Sequence, residues 1–152
     1  MDDWKKDRIG SALRGENPSV IARMKTGFAV IGDTQFLPGY CLLLSYPVVG
    51  SLNDLDAEAR KDFLFDMSLI GDAITEVCKP LRINYEILGN TDPYLHAHIF
   101  PRYEWEEEEQ RKRPVWLYPR EQWNECQFSE ERYGYLKQRL SMKLKELMDR
   151  HY

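Results

Sequence analysis

Asn84-Tyr85-Glu86-Ile87-Leu88-Gly89-Asn90-Thr91-Asp92-Pro93-Tyr94-Leu95-His96-Ala97-His98-Ile99-Phe100-Pro101-Arg102 is the stretch that decides how this chain is read. Residues 84–88 read as a strand, broken by the turn formers Gly89 to Pro93. Residues 95–100 read as a second strand, ended by Pro101. Side chains alternate along a strand, so His96, His98 and Phe100 share one face, while Leu95, Ala97 and Ile99 point into a core. Two of the chain's three histidines therefore stand side by side on the less buried face of a rigid element. The turn just upstream offers backbone amides to an anion, and Arg102 adds a permanent cation just downstream.

The pair admits blander readings. Two half-buried imidazoles can simply satisfy hydrogen bonds. They can also ligate a metal, since neutral imidazole is a common ligand. A metal site needs a third ligand, and His151 near the C-terminus is a poor one. Asp92 or Glu104 would serve only through a sharp turn. No resident metal or other cofactor is expected, and magnesium enters only as a counter-ion of the substrate.

Outward from this stretch, the chain alternates helices and strands. Residues 3–14 read as a helix that breaks at Gly15-Glu16-Asn17-Pro18. A short second helix is expected there, with Asn17 as N-cap and Pro18 in its first position. Residues 28–31 form a brief apolar run, closed by Gly32-Asp33. Residues 40–46 read as a strand buried on both faces and stopped by Pro47. A long helix is expected over residues 57–78, with Ala59, Phe63, Met67, Ile70, Ile74 and Val77 as its apolar stripe. Asp56 caps it and Pro80 forbids its continuation. Leu64 and Leu69 lie off that stripe. A second long helix follows Ser129, with Glu130 and Glu131 in its positive first turn and Tyr133, Leu136, Leu140, Leu144 and Leu147 facing inward. The expectation is one α+β domain over residues 1–152, with a largely antiparallel sheet and a C-terminal helical extension from about residue 129.

Composition narrows the function classes. A net charge of −4 argues against a broad grip on nucleic acid. No apolar run reaches the ~20 residues of a membrane span, and residues 1–6 lack the apolar stretch of a signal peptide. The 3 cysteines are widely spaced and odd in number, which suits reduced thiols in the cytoplasm. Residues 104–113 carry a charge block, read either as a solvated loop or as Arg111 or Arg113 folding back towards an anion. Trp116 and Tyr118 lie in a Pro-bounded loop, which either covers a site or packs against the C-terminal helix.

The 84–102 stretch resembles the signature strand of the histidine triad family, in which histidines alternate with apolar residues and Pro-Arg often follows. Anchored on Pro101-Arg102, His98 matches the third triad histidine and His96 the central one. Tyr94 stands where the first would be, a replacement also met in a bacterial, dinucleoside polyphosphate hydrolase-like branch with a Gly-Asn…Pro-x-Leu-His-x-His pattern. A second region, Phe28 to Ile31 through Leu37-Pro38-Gly39-Tyr40 to Ser51-Leu52-Asn53-Asp54-Leu55, resembles the family's strand, Pro-Gly-His turn, strand and helix entry. Tyr40 takes the histidine's place there. The similarity covers roughly residues 20–103.

The resemblance implies a histidine triad-like fold and a hydrolase or nucleotidyl transferase. Its substrate would be a dinucleoside polyphosphate such as diadenosine tetraphosphate, or a nucleoside phosphoramidate, cleaved at the α-phosphate. His96 would be the nucleophile, forming a nucleotidyl-histidine, with His98 and Asn90 as donors to the phosphate. Tyr94 would be either a hydrogen-bond donor near the leaving group or structural filling, and Tyr40 carries the same two readings. Asp33, one residue beyond the aligned Gly32, is expected at the ribose, Phe28 and Ile31 at the base, and Arg102 near the phosphate. A homodimer is implied as well. The alternatives are a nucleotide-binding module without turnover and a metal-dependent hydrolase.

Overall fold

The computed structural model describes residues 3–152. After a turn of 3₁₀ helix over Asp3–Asp7, helix α1 spans Arg8–Leu13. Gly15 ends this segment with φ 73°, a left-handed conformation open to glycine. Strands β1 (Val20–Met24), β2 (Gly27–Ile31) and β3 (Cys41–Ser45) follow, then helix α2 (Ala57–Cys78). Strands β4 (Arg82–Glu86) and β5 (His96–Arg102) complete the sheet. Three helices close the chain: α3 (Glu108–Arg111), α4 (Arg120–Glu125) and α5 (Glu130–His151).

The strands form one sheet in the order β1-β2-β3-β5-β4, with every neighbouring pair antiparallel. Helices α2 and α5 cover one face. Phe63, Leu69, Ile70 and Ile74 of α2 meet Leu140, Leu144 and Leu147 of α5 over Ala29, Ile31, Leu43, Ala97 and Ile99. Each large aliphatic side chain fully buried there contributes about 1.5–3 kcal/mol. Helix α5 thus supplies part of the main core. The Asp56 carboxylate accepts from the Ala59 amide at the start of α2, as its sequence predicts.

The opposite face carries two smaller clusters. Phe28, Val30 and Leu44 pack under Ile9 and Ala12 of α1. Phe36, Leu37, Tyr40, Phe100, Tyr103 and Val115 pack with Tyr118 and Trp123 from the segment after β5. His96 and His98 lie between these clusters, and His96 is 6% exposed. The face predicted to be less buried is therefore roofed by α1 and by the segment that follows β5.

Three local expectations are corrected. No helix starts at Asn17: its side-chain oxygen accepts from both the amide and the hydroxyl of Ser19, and this turn feeds β1 instead. The strand after α2 begins at Arg82 rather than Asn84, because Lys79 turns left-handed at the helix end and the Leu81 amide already bonds the Arg102 carbonyl. Pro101 does not end β5. The last β3 partner of β5 is Ile99, so Pro101 pairs only with β4, and its missing N–H falls on the open side of the strand, where it is tolerated.

Candidate active site

Strand register builds the site. Leu44 pairs with His96 and Leu42 with His98, so both imidazoles rise from the same face as Val30, Leu42 and Leu44. Nδ1 of His96 lies 2.7 Å from the backbone carbonyl of Tyr94. A carbonyl only accepts, so Nδ1 carries a proton, and in the neutral ring Nε2 holds the lone pair. The His98 ring meets His96 edge to face at 5.0 Å.

His98 is poised differently. Burial, with a further push from neighbouring His96, lowers it to about 4, so it is neutral at physiological pH. Its Nδ1 lies 2.7 Å from the Tyr40 hydroxyl. Burial drives the Tyr40 phenol well above the ordinary tyrosine range, so it stays protonated, and with His98 Nδ1 as its one acceptor among the described residues it donates there. His98 is then the tautomer with its proton on Nε2, free to donate to an anion. Tyr40 stacks on Phe100 at 4.0 Å, which fixes its ring.

Two cavities meet at the histidine pair. One, of about 240 Å³, is lined by Arg8, Val30, Asp33, Leu42, Leu44 and Tyr94 together with both histidines. The other, of about 560 Å³, is lined by Asn90, Trp116, Tyr118, Arg120 and Trp123 together with both histidines. Asp92 and Trp123 line both. The larger volume lies within the ~300–1,000 Å³ typical of small-molecule sites.

Asp33 stands at the smaller cavity, gripped by Arg8 through bonds of 3.2 and 2.6 Å. Gly32 itself has no room for a side chain: a Cβ there would lie 2.3 Å from the Tyr40 ring. Tyr94 lines the same cavity, and its hydroxyl is pushed up by burial and by Asp92, making it a weaker acid. Asn90 is exposed on the wall of the larger cavity.

Three expected residues fall elsewhere. Ile31 points into the main core on the opposite face of the sheet. Phe28 is on the correct face but lines neither cavity, packing instead beside Tyr46 and under Arg23. Arg102 is 3% exposed, and its guanidinium bonds Glu106, Asn84 Oδ1 and the carbonyls of Gln110 and Arg113. All five of its N–H donors are thereby used. None is left for a phosphate.

The charge block is also resolved. Glu106 is buried against Arg102, whereas Lys112 pairs with Glu108, Arg113 with Glu109, and Arg111 donates to the Glu104 carbonyl. Trp116 covers the site: its ring meets His98 edge-on at 4.9 Å and stacks on Trp123 at 5.1 Å. Arg8, Arg120 and Trp123 escaped sequence reading, since nothing local marks them as neighbours of a strand far along the chain. Among the described residues, no group of three or more His, Cys, Asp or Glu side chains is arranged to hold a metal ion. No helix among them is long and apolar enough to cross a membrane.

No protein-family model and no curated protein sequence matches the chain. Solved structures do. A histidine triad protein from Marinobacter aquaeolei superposes with a TM-score of 0.71 at 22% identity, covering 84% of this chain and 89% of that one. Diadenosine triphosphate hydrolase from Plasmodium falciparum, solved with cyclomarin A, gives 0.62 at 18% identity, covering 84% and 77%. A zinc-bound histidine triad family protein from Mycobacterium smegmatis gives 0.62 at 17%, covering 90% and 94%. With its five-stranded antiparallel sheet, its long α2 and its paired strand histidines, the chain has the fold of the histidine triad proteins.

Proposed function

We propose that this protein cleaves a nucleotide at its α-phosphate through a covalent intermediate on Nε2 of His96. The observation that carries the reading is the bond from His96 Nδ1 to the Tyr94 carbonyl, which leaves Nε2 as an unprotonated nucleophile. Its lone pair forms the N–P bond while the bond from phosphorus to the leaving oxygen breaks. The imidazole becomes cationic, and the Tyr94 carbonyl stabilises the charge on Nδ1–H. His98 Nε2–H donates to a non-bridging oxygen, with Asn90 on the adjoining wall as a second donor. Water then displaces the imidazole, releasing the nucleoside monophosphate and a proton.

Asp33 takes the ribose hydroxyls over an apolar floor of Val30, Leu42 and Leu44. A dinucleoside polyphosphate is the substrate class we favour. We also propose that the protein acts in the cytoplasm as a homodimer.

The test is trapping: incubate with nucleotide labelled in the α-phosphate, quench, and map the acid-labile adduct. The label is expected on His96 and absent from His96→Asn, which still binds nucleotide. His98→Asn should slow turnover by about 10²–10³-fold, the range for one lost oxyanion donor. Label on His98 or a carboxylate, or full turnover by His96→Asn, sinks the assignment. Activity is expected to survive a chelator. A stoichiometric zinc lost together with activity would establish the metal-dependent alternative, and nucleotide binding without any adduct would establish a binding module.

A further inference from the structure

We infer that the larger cavity receives the leaving half of the substrate, and that Arg120 with the exposed Trp116 face selects a polyphosphate carrying a planar ring. The inference rests on the nucleotidyl-transfer reading above and assigns a role to a segment outside the signature strand. His96 and His98 line both cavities and so stand at their junction. In-line displacement puts the attacking nitrogen and the leaving oxygen on opposite sides of phosphorus. The two halves of the substrate must therefore diverge from the histidine pair. The smaller cavity, with its apolar floor and the Asp33 carboxylate, suits a nucleoside. The larger one is left for what departs.

Its lining fits an anion with a ring. Of the two arginines on these walls, Arg8 is held by Asp33, whereas among the described residues no carboxylate pairs with Arg120. Arg102 has no donor to offer. Trp116 is 40% exposed, backed by Trp123 at an interplanar angle of 14°, and its indole N–H donates to Glu86. An indole held this way is a preordered surface on which a base can stack.

The chemistry points the same way. An amine must be protonated to leave, and the tyrosines that line the two cavities, Tyr40, Tyr94 and Tyr118, are all pushed up by burial and are poor acids. A polyphosphate needs no proton. As the N–P bond forms and the anhydride P–O bond breaks, the electron pair stays on the departing terminal phosphate oxygen, where Arg120 meets its charge.

The experiment compares the dissociation constants of diadenosine tetraphosphate and AMP by calorimetry in a His96→Asn background, which removes turnover. Adding Arg120→Ala should shrink the preference for the tetraphosphate at least about tenfold, the size of one lost charge-assisted contact. Trp116→Ala should shrink it too, and Arg120→Lys should restore part of it. A preference unchanged by Arg120→Ala, or both ligands weakened in equal proportion, overturns the inference. If the His96→Asn protein binds neither nucleotide, the inference and the proposed function fall together. If it binds both but the unmutated protein forms no adduct, only catalysis falls, and the preference still decides the role of Arg120.

Discussion

The Tyr40 hydroxyl donates to Nδ1 of His98 across 2.7 Å, joining the residue that precedes β3 to the middle of β5. The two rings lie nearly parallel, 16° apart, and Phe100 stacks against both. A tyrosine at the end of the Pro-Gly turn thus sets which nitrogen of His98 faces the substrate.

Tyr40→Phe isolates this effect, because the ring and its stacking remain and only the donor is lost. We expect a stability loss of about 1 kcal/mol for the hydrogen bond. Turnover should fall about 10–10²-fold, at or below the loss of a whole oxyanion donor. Nitrogen NMR of the His98 ring distinguishes positioning from packing, since the Nε2–H tautomer should lose its dominance. Unchanged tautomer populations with reduced activity would count against a positioning role.

His98 also makes stability depend on pH. Its folded value, about 4, lies below the ordinary histidine value of 6.5 because burial disfavours the charged ring. Between these values the unfolded chain binds the proton and the folded chain does not, so stability falls as pH drops from about 6.5 towards 4. Urea titrations across this window should show that slope. His98→Asn should flatten it, leaving what remains to the carboxylates. A slope identical in the variant would mean that His98 is not the source.

Where the site was legible in sequence, a short-range rule governed it. Alternation along β5 separates His96 and His98 from Ala97 and Ile99 whatever the strand packs against, and Asp56 and Pro80 bound α2 through local backbone chemistry. Asn17-Pro18 offered an equally local helix signal, but the Ser19 turn and pairing of β1 with β2 overrode it. Leu69 looked spare beside a single apolar stripe. It is buried because α2 packs against both the sheet and α5, which widens the face it must cover. Arg102 looked like a phosphate ligand because its partners, Asn84, Glu106, Gln110 and Arg113, are gathered only once the segment after β5 folds back.

The oligomeric state is open to direct measurement. Leu69 lies in the core, but Leu64 and Phe65 of α2 are 38% and 45% exposed. Strand β4 forms one edge of the sheet, with Tyr85 exposed at 40%. An unpaired edge beside exposed apolar residues suits an isologous contact. Light scattering at micromolar concentration should give the mass of a dimer, and Leu64→Glu should shift it towards the monomer. A monomeric mass for the unmutated protein would refute this.

Arg102 and Glu106 should behave as structure rather than as substrate contacts. Their side chains are 3% and 0% exposed, and they meet at 3.0 Å. Burial alone would raise the Glu106 carboxyl, but hydrogen bonds from Arg102, the Tyr118 hydroxyl and the Tyr103 amide outweigh it and hold the group below its usual value. Arg102→Ala strands that carboxylate without its charge partner and should cost about 3–5 kcal/mol. Adding Glu106→Ala removes the stranded charge, so the double variant should lose less than the two single losses added together. The Tyr118 hydroxyl bonds Glu106 at 2.6 Å, and Tyr118 lines the larger cavity, so part of the site wall hangs on this pair. Below the melting temperature of Arg102→Ala, its affinity for AMP should nevertheless stay within about threefold of the unmutated protein, a change of under 1 kcal/mol. Denaturant titration and calorimetry on the same preparation decide the matter. Lost affinity with undiminished stability would return Arg102 to the phosphate.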